Sequence, residues 1–124
     1  GIDAGVPFLM VSHNVIDDYD KGVPASLSKK LHNYIRKDMG YDGIILCDGL
    51  GMSGVRDYVG GDKGEVAVRA VMAGNDMLCA TDVGVQLRAI VKAVKDGRIK
   101  LSQIEDSVTR ILMTKINYGL IEKE

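Results

Sequence analysis

Tyr41-Asp42-Gly43-Ile44-Ile45-Leu46-Cys47-Asp48-Gly49-Leu50-Gly51-Met52 is the stretch that decides the fold. Ile44, Ile45 and Leu46 form a short run with no polar member, which suits a strand buried on both faces. Gly43 frees the backbone for a sharp turn into it. Cys47 and Asp48 fall where that strand stops, and Gly49 to Met52 open a loop. A carboxylate at the exit of a buried strand is costly unless it is hydrogen-bonded, paired or used. In a parallel α/β protein that exit is also where ligands bind. Asp48 is therefore the first candidate for chemistry. The alternative is an aspartate that caps a turn through nearby backbone N–H groups.

Working outward, Val6 to Val11 reads as a strand, with Pro7 tolerated only near its start, and it exits into Ser12-His13-Asn14. A polar loop, Asp17 to Gly22, follows. Pro24 precedes a helix that Ser26 or Ser28 can cap, with Leu27, Leu31, Tyr34 and Ile35 at helical spacing and a stop at Gly40. Beyond the central strand, Met52, Val55, Tyr58 and Val59 suggest a short amphipathic turn that ends at Gly60-Gly61. Asp62 with Glu65 opens the next helix in the manner of a capping box. That helix runs to Gly74, and Asp76 to Ala80 is a third strand leaving into Thr81-Asp82. Val83, Leu87, Ile90, Val91 and Val94 mark a helix closed by Gly97, with Asp82 as its cap. Ser102 with Glu105 predicts a second capping box for a last helix ending at Gly119.

Strand starts recur at roughly the 30-odd residues of a β-α-β unit, and right-handed parallel units are the natural assembly. Three strands alone would leave both sheet edges open. Ile2-Asp3-Ala4-Gly5 resembles the last turn of a helix, and residue 1 is not a methionine. The fold class expected is thus α/β: a partial (β/α)8 TIM-type barrel, its last three β-α units plus a C-terminal helix, with residues 1–124 a fragment of one domain. An open doubly wound sheet is the alternative.

Composition narrows the function. The net charge of −1 gives no footprint for nucleic acid or an anionic membrane, and no apolar run is long enough to span a bilayer. Cys47 and Cys79 lack metal-site spacing and fit a reducing compartment, although the compartment itself stays open. His13, Cys47, Asp48 and Cys79 all lie near strand exits and could converge on a metal, but cysteines in apolar runs are usually small buried hydrophobes, so no metal is expected. No strand end carries the lysine of a Schiff-base aldolase. Gly60-Gly61 lacks the spacing of a phosphate-binding loop.

Several segments taken in order are similar to glycoside hydrolase family 3: Phe8-Leu9-Met10-Val11-Ser12-His13, Pro24-Ala25-Ser26-Leu27-Ser28, and Met39-Gly40-Tyr41-Asp42-Gly43. Cys47-Asp48-Gly49-Leu50-Gly51-Met52 resembles that family's nucleophile segment, usually Ser/Thr-Asp-Asp-Leu-x-Met in its β-N-acetylhexosaminidase branch. Ala70 to Met77 and Ile104-x-x-Ser107-Val108-x-Arg110-Ile111-Leu112 resemble its later signatures. The Leu50-x-Met52 ending, in place of Asp-Trp-Gly, favours the hexosaminidase branch over the β-glucosidase branch. Two positions depart from the pattern: Gly49 stands where a second acid is usual, and Cys47 where Ser or Thr is.

The resemblance implies a retaining hydrolase that removes terminal β-linked N-acetylglucosamine, needs no cofactor, and uses Asp48 as nucleophile. It also implies an acid/base His-Asp pair on a loop of an earlier unit, outside this chain, so the isolated chain is expected to be catalytically incomplete. Asp17, Asp18 and Asp20 are the only local candidates to replace that pair, and a solvated polar loop is the simpler reading of them. His13, at a strand exit, is expected to line the sugar pocket or to be a satisfied structural histidine. Met52 is expected to pack on the sugar or to fill core. His32 reads as a surface residue. The partners expected are a carbohydrate, the missing N-terminal barrel portion and, through open edges, a second copy of the fragment. A β-glucosidase and a non-catalytic sugar-binding or structural module are the competing functions.

Overall fold

In the computed structural model, which describes residues 1–122, three parallel strands stand side by side in chain order: β1 (Phe8–Val11), β2 (Ile44–Cys47) and β3 (Met77–Leu78). No reversal of strand order occurs among them, so these residues show no switch point of a doubly wound sheet. Met10, Leu46 and Met77 share one rung, and Val11, Cys47 and Leu78 the next. Between the strands come α1 (Lys29–Asn33), α2 (Ser53–Tyr58) and α3 (Lys63–Ala73), and after them α4 (Val83–Lys95) and α5 (Leu101–Asn117). Among the described residues no helix is long and apolar enough to cross a membrane.

The sheet's period of two assigns its faces. Leu9, Val11, Ile45, Cys47 and Leu78 point to the helix layer and pack against Ile35, Val55, Val66, Ala67 and Ala70. α3 packs against α1 on one side and α4 on the other. Gly64 permits the α3–α4 approach, because a Cβ there would lie 2.8 Å from that of Ala89. The opposite face is open: Phe8 and Met10 are 48% and 57% exposed. Among the described residues only its entry end is covered, where Ile111, Thr114 and Tyr118 of the α5 segment close an apolar groove over Ile44 and Met77.

Several elements differ from expectation. β1 starts at Phe8, not Val6, because Pro7 has no N–H to give and contributes only its carbonyl, which accepts from Ile44 N–H at 2.9 Å. The first helix begins at Lys29 after a 3₁₀ turn at Ala25–Leu27, and its last turn widens to a π turn at Tyr34–Asp38 before Gly40 at φ 65°. Ser28 is its cap, accepting from Leu31 N–H at 3.1 Å. β3 is only two residues long, because Ala80 N–H turns back to the Leu78 carbonyl. The Ser102 capping box does not form: the N-cap of α5 is Lys100, two residues earlier, and no side chain caps it. Asp62 does cap α3, through Gly64 and Glu65 N–H, but the Glu65 carboxylate turns outward to Arg69 and Arg98. Asp82 caps α4 as expected.

His32 corrects the sequence reading outright. It is 1% exposed, with Nδ1 at 2.8 Å from the Ser28 carbonyl. Gly74 makes room for it: a Cβ there would come within 3.1 Å of His32 Cβ, and φ of 121° suits glycine.

Candidate active site

Asp48 continues the ladder one step past β2, its N–H donating to the Val11 carbonyl at 3.1 Å. By alternation its side chain belongs with Leu46, on the open face, while Cys47 is fully buried among Leu27, Leu50, Val55 and Val66. The Asp48 carboxylate is half-buried, and its Oδ1 accepts from Gly49 N–H at 2.7 Å. Both readings of this residue thus have a physical basis: it bonds a local backbone donor, and it stands at the exit of the central strand.

His13 meets Asp48's neighbour. Its Nε2 lies 2.9 Å from the Gly49 carbonyl and its Nδ1 2.6 Å from Ser26 Oγ. Ser26 is fully buried; its N–H donates to the Ser12 carbonyl, and its own carbonyl accepts from Asn75 Nδ2 at 2.8 Å. Sequence reasoning placed Ser26 only as a possible cap and missed Asn75's part here. The one signal available was Ser26's position inside the Pro24-to-Ser28 segment.

The loop after β2 interlocks with the loop after β3. Leu50 N–H donates to the Cys79 carbonyl at 3.1 Å, and Gly51 lies so close to Thr81 that a Cβ would fall 2.8 Å from Thr81 Cγ2. The Gln86 carboxamide oxygen in turn accepts from Thr81 and Asp82 N–H. Met52, 53% exposed, precedes α2 at the rim of this region.

Cys47 carries the clearest electrostatic shift near the site. Burial pushes its thiol up to about 12, against a smaller downward pull from the Ser26 hydroxyl. Among the described residues no three His, Cys, Asp or Glu side chains stand close enough to share a metal ion. In the polar loop, Asp17 accepts from Gly22 N–H and Asp20 from Ser28 Oγ, so two of the three carboxylates close the loop on itself. A cleft of about 610 Å³ opens at the entry end of the strands, lined by Val6, Pro7, Tyr41 and Arg110. It lies away from Asp48 and bears on no chemistry there.

The two later sequence signatures meet in space at that entry end. Asp76, 1% exposed at its side chain, pairs with Arg36 and Arg110 and accepts from Ser107 Oγ at 2.8 Å and Ile45 N–H at 2.9 Å. They form a structural lock far from the strand exits.

Residues 1–114 match the glycosyl hydrolase family 3 N terminal domain. A family 3 beta-N-acetylglucosaminidase from Paenibacillus sp. str. FPU-7 superposes on 99% of this chain with a TM-score of 0.89 and 32% identity, using 24% of its own chain. Beta-hexosaminidase LpqI of Mycobacterium tuberculosis is 30% identical in an alignment that covers 86% of this chain and 29% of LpqI. A beta-N-acetylglucosaminidase/beta-glucosidase of Cellulomonas fimi is 28% identical in an alignment that covers 96% of this chain and 23% of that protein. The chain therefore spans about a quarter of the length of these relatives. With its strand order, its aspartate at the central strand exit and a family match over nearly all its residues, the chain belongs to glycosyl hydrolase family 3.

Proposed function

We propose that this chain is the nucleophile-bearing part of a retaining β-N-acetylhexosaminidase that removes terminal β-linked N-acetylglucosamine. The observation that carries the reading is Asp48 at the exit of the middle parallel strand, on the sheet face away from the helices. In this reading the three strands are the last three β-α units of a (β/α)8 barrel, with α5 as the terminal helix. Sequential strand order, α1 to α4 gathered on one face and an apolar face opposite that the α5 segment covers only at its entry end support that placement. Asp48 attacks the anomeric carbon to form a glycosyl-enzyme while the leaving oxygen takes a proton; water then breaks the new ester bond, with net retention and no cofactor. The proton donor belongs to an earlier unit, so the isolated chain is inactive. Met52, exposed at the rim, is the proposed contact for the acetamido group.

The Leu50-x-Met52 ending and the names of the Paenibacillus and Mycobacterium relatives support the N-acetyl preference. The double name of the Cellulomonas relative favours β-glucosidase as the second reading. The test is intact mass and peptide mapping of the full-length protein carrying this segment, after reaction with a 2-fluoro glycoside. An adduct on the Asp48 peptide is expected. Hydrolysis without that adduct moves the nucleophile elsewhere, and neither adduct nor hydrolysis makes this a non-catalytic module. Relative rates on N-acetylglucosaminide and glucoside substrates decide between the two sugars.

A further inference from the structure

We propose that His13 is a positioning residue that sets the Gly49 turn beside Asp48, and that it does not hydrogen-bond the sugar. The proposal rests on the reading of Asp48 as nucleophile. A carbonyl oxygen only accepts, so His13 Nε2, 2.9 Å from the Gly49 carbonyl, must carry a proton. The other ring nitrogen lies 2.6 Å from Ser26 Oγ, from which it accepts in the neutral ring. Both polar atoms of the imidazole are thus spent inside the protein, and none remains for a hydroxyl or acetamido group.

The anchor behind His13 is itself fixed. Ser26 is fully buried and held at both backbone groups, by Ser12 and by Asn75. Asn75, 2% exposed, also donates to the Ala70 carbonyl at the end of α3. A chain of hydrogen bonds therefore runs from α3 through Ser26 and His13 to Gly49. Gly49 needs it because it has no side chain of its own to pack: a Cβ there would meet only Met52 Cγ, at 4.0 Å. Its carbonyl also accepts from Met52 N–H at 3.2 Å, so His13 steadies the turn that leads to Met52. Its N–H is the donor on Asp48 Oδ1, so a shift of the turn moves that donor off the carboxylate.

The experiment compares His13→Ala, His13→Gln, His13→Asn and Asp48→Ala in the full-length protein carrying this segment, using p-nitrophenyl N-acetyl-β-glucosaminide and counting active sites with the 2-fluoro trap. The Gln amide nitrogen falls near Nε2 and can bond Gly49; that of Asn falls near Nδ1 and cannot. His13→Ala is expected to lower kcat about 100-fold per trapped site, as for a reacting group misplaced by about 1 Å, with KM changed less than about threefold. His13→Gln is expected to regain about tenfold over His13→Asn. That comparison carries the test if the alanine variant does not fold. A raised KM with kcat kept, or Gln no better than Asn, overturns the positioning role. Full activity in Asp48→Ala, or no hydrolysis by the unmodified protein, overturns the nucleophile reading itself.

Discussion

A thiol beside the candidate nucleophile invites a chemical role, and its surroundings deny it one. Cys47 points into the helix layer while Asp48 points away from it, and its only hydrogen bond as a donor is a weak one to the Asp48 carbonyl at 3.3 Å. With burial pushing it up to about 12, it stays protonated and unreactive at neutral pH. Iodoacetamide is expected to modify Cys47 only after unfolding in urea, as read by peptide mass; a native-state rate equal to that of exposed Cys79 overturns this. The place of Asp48 at a strand exit was legible in the sequence because Ile44, Ile45 and Leu46 form an unbroken apolar run that stops there. Ser26 was not. Two serines two residues apart both look like caps, and a tertiary contact with His13 decides which one is free. His32 hid for a similar reason: its burial depends on Gly74, which lies outside its own helix.

At the scale of elements, charged side chains tie together segments that lie far apart in the chain. Asp76 joins the π turn, β2, β3 and α5 through Arg36, Ile45 N–H, Ser107 and Arg110. Removing one partner of such a group strands the others. Asp76→Ala is expected to cost about 3–5 kcal/mol, seen as a lower urea midpoint, because two guanidinium groups lose their counter-charge. A loss within about 0.5 kcal/mol, the range of an ordinary surface change, overturns this.

Glu65 works at a second junction. Arg98, from the α4–α5 connection, bonds both its oxygens, and Arg69 bonds one, which holds the carboxyl at about 2 against an ordinary 4.5. The folded value lies below the unfolded one, so this stabilisation is full above about pH 4.5 and is lost as pH falls toward 2. Glu65→Gln is expected to flatten the pH dependence of the melting temperature in that window and leave it unchanged in slope above it. The helix starts at Asp62 and Asp82 were legible because caps are local, whereas the false start at Ser102 shows the limit. Gln103 is drawn to the Val71 carbonyl, and the helix begins where that contact requires.

For the whole molecule, the order of strands and helices was readable because each β-α unit carries its own periodicity and glycine stops. What packs on the open sheet face was not readable, since the apolar spacing within one unit does not say which neighbour covers it. Among the described residues β1 and β3 each pair only with β2, so each presents an unpaired edge. Beside those edges lie Phe8 and Met10, half exposed, and α5, which buries no residue fully and leaves Val108, Leu112 and Met113 open. Exposed strand edges joined to apolar surface drive pairing between chains. The isolated chain is therefore expected to self-associate, or to melt over a broad range at low temperature, in sedimentation velocity and calorimetry. Adding the rest of the family 3 domain in one polypeptide is expected to abolish that association, because the same edges and faces would then be covered. A monodisperse monomer of residues 1–124 with a sharp cooperative melt would show that three units suffice, and would undo the argument that the open face is an interior.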